Sequence, residues 1–137
     1  MIIADTGAVF ALLDAHDAHH ATVRELYLAD PDAWVLPWVV LPETDYLVQS
    51  RLGDQVEAAF LEDLTGGRFT LEWGIEDDLE RANELNRQYQ ALKLGLVDGV
   101  VMSIAERLKA GAIATLDLKH FGAVKLLGAP RLLPRDL

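Results

Sequence analysis

Short apolar runs alternate along this chain with stretches of helical spacing, and that alternation limits the fold more than any other feature. Ile2–Ala4, Trp34–Leu36, Arg68–Trp73 and Ala112–Thr115 each have strand length and strand composition, and Val124–Leu127 reads as a last strand. Between them the apolar residues recur every three or four positions. Ala8–Leu13 reads as a short helix. A second helix starts in the polar His16–His20 stretch, carries Val23, Leu26 and Tyr27 inward, and stops at Asp30-Pro31-Asp32. Pro42 suits the first turn of a third, which carries Tyr46, Leu47 and Leu52 and ends at Gly53. Asp54 caps a fourth, with Val56, Ala59, Phe60 and Leu64 inward. Asp77–Leu92 is a long helix, interrupted at Gly95. Asp98 opens the next, with Val100, Val101, Ile104, Ala105 and Leu108 in one stripe, Arg107 and Lys109 near its end, and Gly111 as its C′ residue. Asp117–Phe121 reads as a loop. Strands alternating with helices imply a mainly parallel sheet of four or five strands between two helical layers, an α/β/α arrangement. No linker or repeat divides residues 1–137, and the length suits one domain.

Four carboxylates stand at the junctions of this pattern. Ligands bind at the carboxyl ends of strands in such sheets. Asp5 and Asp117 lie at or just beyond strand ends, and Glu43 and Asp98 lie at helix starts entering from the same edge. Carboxylates are rarely buried unless paired or bound to a cation. Four gathered at one edge would repel, and a divalent metal relieves that repulsion. Taken singly, each has an ordinary role: Asp5 and Asp98 as helix caps, Asp117 as a turn residue, Glu43 as a complement to a helix N-terminus. Glu43 shares a helical face with Tyr46 and Leu47 and is expected to lean inward, leaving Asp45 in solvent. Thr6 is expected to orient Asp5 or cap the first helix, and Thr115 to bond Asp117 or a substrate phosphate. His16 and His20 have ligand spacing but no third partner in sequence, so a solvated helix start is the better reading. Trp34, Trp38 and Trp73 read as core or interface residues, and Trp38, Val39 and Val40 as interface or core.

The chain has no cysteine, which removes disulfides, thiolate nucleophiles and zinc–thiolate sites. The opening residues lack a basic n-region, and no apolar run reaches membrane-span length, so a cytoplasmic protein with no membrane association is expected. The net charge of −10 opposes nucleic-acid binding overall, although a local patch decides phosphate contact. Arg24, Arg51, Arg81, Arg87, Lys93 and Lys119 are the candidate cations. A basic protein segment is a second class of partner that suits the acidity.

Ile3-Ala4-Asp5-Thr6-Gly7-Ala8 before a helix resembles the opening motif of PIN-domain nucleases. Pro42-Glu43-Thr44-Asp45 suits that family's second acid. Gly95-Leu96-Val97-Asp98-Gly99-Val100 with Ala105-Glu106-Arg107 is similar to its third-acid helix, and Ala114-Thr115-Leu116-Asp117-Leu118-Lys119-His120-Phe121 to its final-acid motif. The resemblance spans nearly the whole chain, at the length of the VapC-type toxins within the family. Two positions depart from its pattern: Gly99 stands where Ala is usual, and Ser103 where a small apolar residue is common. The resemblance implies a PIN-like fold and a Mg²⁺- or Mn²⁺-dependent endoribonuclease. Asp5 and Asp98 would be the principal metal ligands, and Glu43 and Asp117 would complete the catalytic cluster. It also implies RNA as substrate, a cognate antitoxin as partner, and a homodimer.

Two other classes begin similarly. A haloacid-dehalogenase-type phosphohydrolase needs a second Asp two residues after the first, where this chain has Gly7. A receiver-like phosphoacceptor needs paired acids at its first strand, which here has only Asp5, although Lys119 or Lys125 could imitate its late lysine.

Overall fold

In the computed structural model, which describes residues 1–137, five strands form one parallel sheet in the order β3-β2-β1-β4-β5. They are β1 (Ile2–Ala4), β2 (Trp34–Pro37), β3 (Thr70–Glu72), β4 (Ala112–Ala114) and β5 (Arg131–Leu133). The helices are α1 (Thr6–Leu13), α2 (His20–Ala29), α3 (Val40–Leu52), α4 (Asp54–Thr65), α5 (Glu76–Gln88), α6 (Gly95–Arg107) and α7 (Leu118–Phe121). Short 3₁₀ turns cover Pro31–Ala33 and Gln90–Leu92. The expected α/β/α architecture is therefore present, with five strands.

The central strand explains the layering. In β1, Ile3 and Ala4 are fully buried between β2, where Ile3 aligns with Val35, and β4, where it aligns with Ile113. A parallel strand covered on both faces reads as a continuous apolar run, as Ile2–Ala4 does. Trp34, Phe60, Leu36, Leu85, Met102, Ile104 and Ile113 fill the space between sheet and helices. Tyr27 packs edge-on to Trp34 with ring centroids 5.5 Å apart.

Helix α6 lies against α5 at a close seam. A Cβ on Gly99 would meet the Cβ of Ala82 at 3.0 Å and Asn86 Nδ2 at 2.9 Å, so the residue's smallness sets the helix separation. Ser103 Oγ, buried in the same stripe, donates to the Gly99 carbonyl at 2.6 Å. The two departures from the family pattern thus belong to one packing contact. Two arginines tie the far end of the seam. Arg81 holds Glu106 at 2.7 and 3.1 Å. Arg107 holds Asp78 at 2.8 and 3.0 Å and Glu72 at 2.9 Å. Glu106 also accepts the Leu127 amide at 2.8 Å, which fixes the loop before β5.

Several expected boundaries move. α6 begins at Gly95 rather than Asp98, because Asn86 brackets that junction: its Oδ1 accepts from Gly95 N at 2.9 Å and its Nδ2 donates to Gly95 O at 3.0 Å. α5 ends at Gln88, followed by the 3₁₀ turn. The left-handed residue after α6 is Lys109 (φ 53°), not Gly111. Asp54 is the first residue of α4, and Gly53 (φ 91°) is its cap. Residues 117–121 hold the short helix α7 rather than a loop. The last strand is Arg131–Leu133, not Val124–Leu127; Val124 packs into the core from a loop instead. Val39 and Val40 are core, whereas Trp73 is 70% exposed.

Candidate active site

β1 and β4 lie side by side, and the chain leaves both at the same edge. Asp5 follows β1 directly and caps α1, its Oδ1 accepting from Thr6 N at 2.8 Å. Thr115 follows β4. Its Oγ1 donates to Asp5 Oδ2 at 3.1 Å and accepts from Asp117 N at 3.0 Å. Asp117 in turn caps α7, accepting from His120 N at 3.1 Å. The first turn of α6 brings Asp98 to the same place. His120 Nδ1 lies 2.6 Å from Asp98 Oδ2 and 3.2 Å from Asp117 Oδ2. An ionised carboxylate only accepts, so the imidazole N–H donates to Asp98, with Asp117 Oδ2 at ion-pair distance.

The electrostatics follow from this crowding. Burial, and then the charge of Asp98, push the Asp5 carboxyl from its ordinary 3.8 up to about 7; Asp117 adds to the rise, while the Thr6 and Thr115 hydrogen bonds oppose it. Burial raises Asp98 as well. His120 opposes that rise, and Asp117 and Glu43 add to it. The ligand atoms of Asp98, Asp117 and His120 all lie within 4.8 Å of one another. No arginine or lysine forms an ion pair with Asp5, Asp98 or Asp117.

The matching family model is the PIN domain, over residues 2–125. The chain belongs to the PIN-domain family. A relative, Ribonuclease VapC26 of Mycobacterium tuberculosis (strain ATCC 25618 / H37Rv), is 35% identical over 130 residues, covering 95% of this chain and 96% of that one. Among solved structures, the M. tuberculosis toxin VapC20, described as sarcin-ricin loop cleaving, superposes with a TM-score of 0.82 at 23% identity, covering 95% of this chain and 99% of that one. A toxin–antitoxin complex from Klebsiella pneumoniae matches with a TM-score of 0.72 at 17% identity over 90% of this chain and 92% of that one. These two structural likenesses show the PIN fold.

The PIN-domain site has the donor set a divalent ion needs: carboxylate oxygens held by backbone and hydroxyl donors, with no resident Arg or Lys. Thr6 Oγ1 is buried beside Asp5 without a hydrogen-bond partner, which suits a site finished by water or an ion. The residues therefore fit a divalent metal.

Of the expected site residues, Asp5, Asp98, Asp117 and Thr115 come together. Thr6 contributes its amide rather than its hydroxyl. Glu43 is exposed and reaches the cluster only through its charge on Asp98. The inward stripe of α3 is Val40, Thr44 and Val48, so Tyr46 is 71% exposed and Glu43 does not lean inward as expected. Asp45, expected in solvent, is half-buried with an unpartnered Oδ1. His16 is exposed, and His20 bonds the Ala11 carbonyl through Nδ1 at 2.8 Å, so the two form no ligand pair. His120 is not among the expected site residues. Its spacing from Asp117, three residues on, is the signal that could have found it, because on a helix that spacing brings the side chain back over its own cap.

Proposed function

We propose that this chain is a metal-dependent endoribonuclease that hydrolyses RNA phosphodiester bonds and acts as the toxin of a toxin–antitoxin pair. One observation carries the reading: Asp5, Asp98 and Asp117 crowd one edge of a parallel sheet with no arginine or lysine among them, and burial, then the charge of Asp98, lifts Asp5 to about 7. The family and the VapC26 relative support the ribonuclease assignment. No helix is long and apolar enough to cross a membrane; the toxin reading itself implies a cytoplasmic site of action.

Asp5 and Asp98 would hold Mg²⁺, with Mn²⁺ as a substitute, and Asp117 and Glu43 would complete the cluster directly or through water. When bound, the ion lowers the pKa of coordinated water and offsets charge on the phosphoryl oxygens. The protein's own part is positional. Thr115 fixes Asp5 and the turn into Asp117, and His120 fixes the carboxylate of Asp98. No side-chain nucleophile is required.

The toxin assignment brings a cognate antitoxin with it, supported by the Klebsiella pneumoniae complex. An acidic edge would attract an arginine or lysine from such a partner. Exposed Tyr46, Trp73 and Ile75 offer apolar area for a homodimer or an antitoxin. The deciding experiment incubates purified protein with total RNA, with and without Mg²⁺, and maps the cut ends. Specific cuts that need the metal are expected; intact RNA at millimolar Mg²⁺ and Mn²⁺ would sink the reading.

A further inference from the structure

Positive charge is unevenly distributed. Residues 118–137 hold four of the twelve Lys and Arg (Lys119, Lys125, Arg131 and Arg135) and one of the twenty-two acids, Asp136. The rest of the chain carries eight cations against twenty-one acids. Several of those eight are engaged: Arg81 and Arg107 in the α5–α6 seam, Arg68 on Asp63 at 3.3 Å, and Arg51 over the Phe10 ring at 5.6 Å. Lys119 and Lys125 are exposed and have no carboxylate at ion-pair distance.

Two hollows lie beside them: Lys125 lines one, and Lys119 follows Leu118 of α7, which lines the other. One, of about 230 Å³, is lined by Thr115, Leu118, Pro134 and Arg135 among others. The next, of about 340 Å³, is lined by Phe121, Gly122, Lys125, Leu126, Leu132 and Arg135 among others. Arg135 lines both and is held in place by Asp136 at 2.7 Å. A Cβ on Gly122 would collide with the Leu118 carbonyl and come within 3.4 Å of Arg135 Nη1, so a larger residue does not fit at this wall of the hollow. The first hollow touches Thr115, the residue that holds Asp5 and Asp117. The two hollows meet at Arg135, one reaching Thr115 and the other apolar with Lys125 in its wall.

We propose that the two hollows form one trough beside the acidic cluster and that it seats the single-stranded flank of the RNA substrate, with phosphates on Lys119 and Lys125 and an unstacked base on the apolar wall. Single strands are bound by cations that track the backbone and by surfaces that take a base face. A cationic peptide tail would be repelled here, which separates this surface from the acidic edge. The proposal rests on the nuclease reading and names where its substrate lies.

The test measures anisotropy of a labelled single-stranded RNA of about twelve nucleotides, a length near one such site. The full-length Asp98→Asn chain in Mg²⁺ serves as the uncut background. There, Lys119→Ala with Lys125→Ala should weaken binding about tenfold. The slope of log affinity on log salt should become shallower by about 1.4, because two phosphates are no longer neutralised. Arg24→Ala with Arg87→Ala, an equal loss of charge elsewhere, should change affinity less than twofold. Equal weakening by both pairs, or none by the lysine pair, would overturn the trough. So would equal affinity for the same RNA as a duplex, or an acidic peptide bound as tightly and released by the same lysine substitutions. Lysine-dependent binding with no cleavage by the wild type would keep the trough and end the nuclease reading. Cleavage with KM unchanged in the lysine pair would do the reverse.

Discussion

Two groups of acids in this molecule are treated in opposite ways. At the α5–α6 seam, Glu72, Asp78 and Glu106 are each held by Arg81 or Arg107 at 2.7–3.1 Å. Burial alone would raise Glu106, but the bonds from Arg81 and the Leu127 amide outweigh it and hold the group below its usual range. At the sheet edge, Asp5, Asp98 and Asp117 have one imidazole among them, and Asp5 and Asp98 are raised. The seam is electrostatically closed and the edge is open. Buried charge that a fold leaves uncompensated is a cost to stability, and it persists where something from outside supplies the counter-charge.

The sharpest way to break this contrast is to remove a charge from each region. Asp5→Asn and Asp98→Asn should each lower metal-dependent RNA cleavage by at least about a hundredfold while the fold survives, since a missing metal ligand removes several kcal/mol of transition-state stabilisation. Cleavage rates on matched, folded protein check this, and near-wild-type rates in either variant would remove that residue from the site. Arg107→Met should do the opposite. It strands Asp78, which is 3% exposed, and should cost about 3 kcal/mol in urea unfolding, with the cleavage rate of the remaining folded protein unchanged.

Metal should next distinguish the groups. Mg²⁺ or Mn²⁺ at about a hundred times its dissociation constant should stabilise the wild type by about 2.7 kcal/mol, through binding to the native state alone. Asp98→Asn should abolish that gain and Arg107→Met should retain it. A melting curve indifferent to metal in the wild type would argue against a preformed site.

The smallest effect is in pH. Asp5 titrates near 7 when folded and near 3.8 when not, so its contribution favours the fold fully below about 4 and is lost as pH rises through 7. Glu106 is lowered, so its contribution is present above its ordinary 4.5 and lost as pH falls below that. Between about pH 5 and 8, therefore, the edge group sets the slope. Metal-free protein should melt a few degrees lower at about pH 8 than at about pH 5.5, and Asp5→Asn should flatten the difference. A slope preserved in Asp5→Asn would assign it to other groups.

The open edge could be read from the amino-acid sequence in its main parts because each acid there interrupts an apolar run, and strand alternation puts those interruptions on one side of a parallel sheet. Asp5 and Asp117 sit where that logic places them. Glu43 does not, because the inward stripe of α3 includes a polar residue, Thr44, which hid the true face behind Tyr46 and Leu47. The spacing of His120 from Asp117 is local, but its bond to Asp98, twenty-two positions away, is a contact that periodicity does not encode. The last strand is misplaced by sequence because Pro130 and Pro134 bracket Arg131–Leu133 like breakers, whereas an edge strand tolerates them. The closed seam is the least visible of all. Arg107 near a helix end reads as a dipole partner, and nothing local shows that it reaches Glu72 and Asp78, thirty-five and twenty-nine residues back.

The hydroxyl of Thr115 touches both the carboxylate that ends β1 and the amide that begins the turn after β4. One oxygen atom is thus the common anchor of two chain segments a hundred and ten residues apart. Neither segment can shift without pulling on the other, so any occupant that draws one carboxylate inward tugs the second along, and the pair behaves as a coupled jaw.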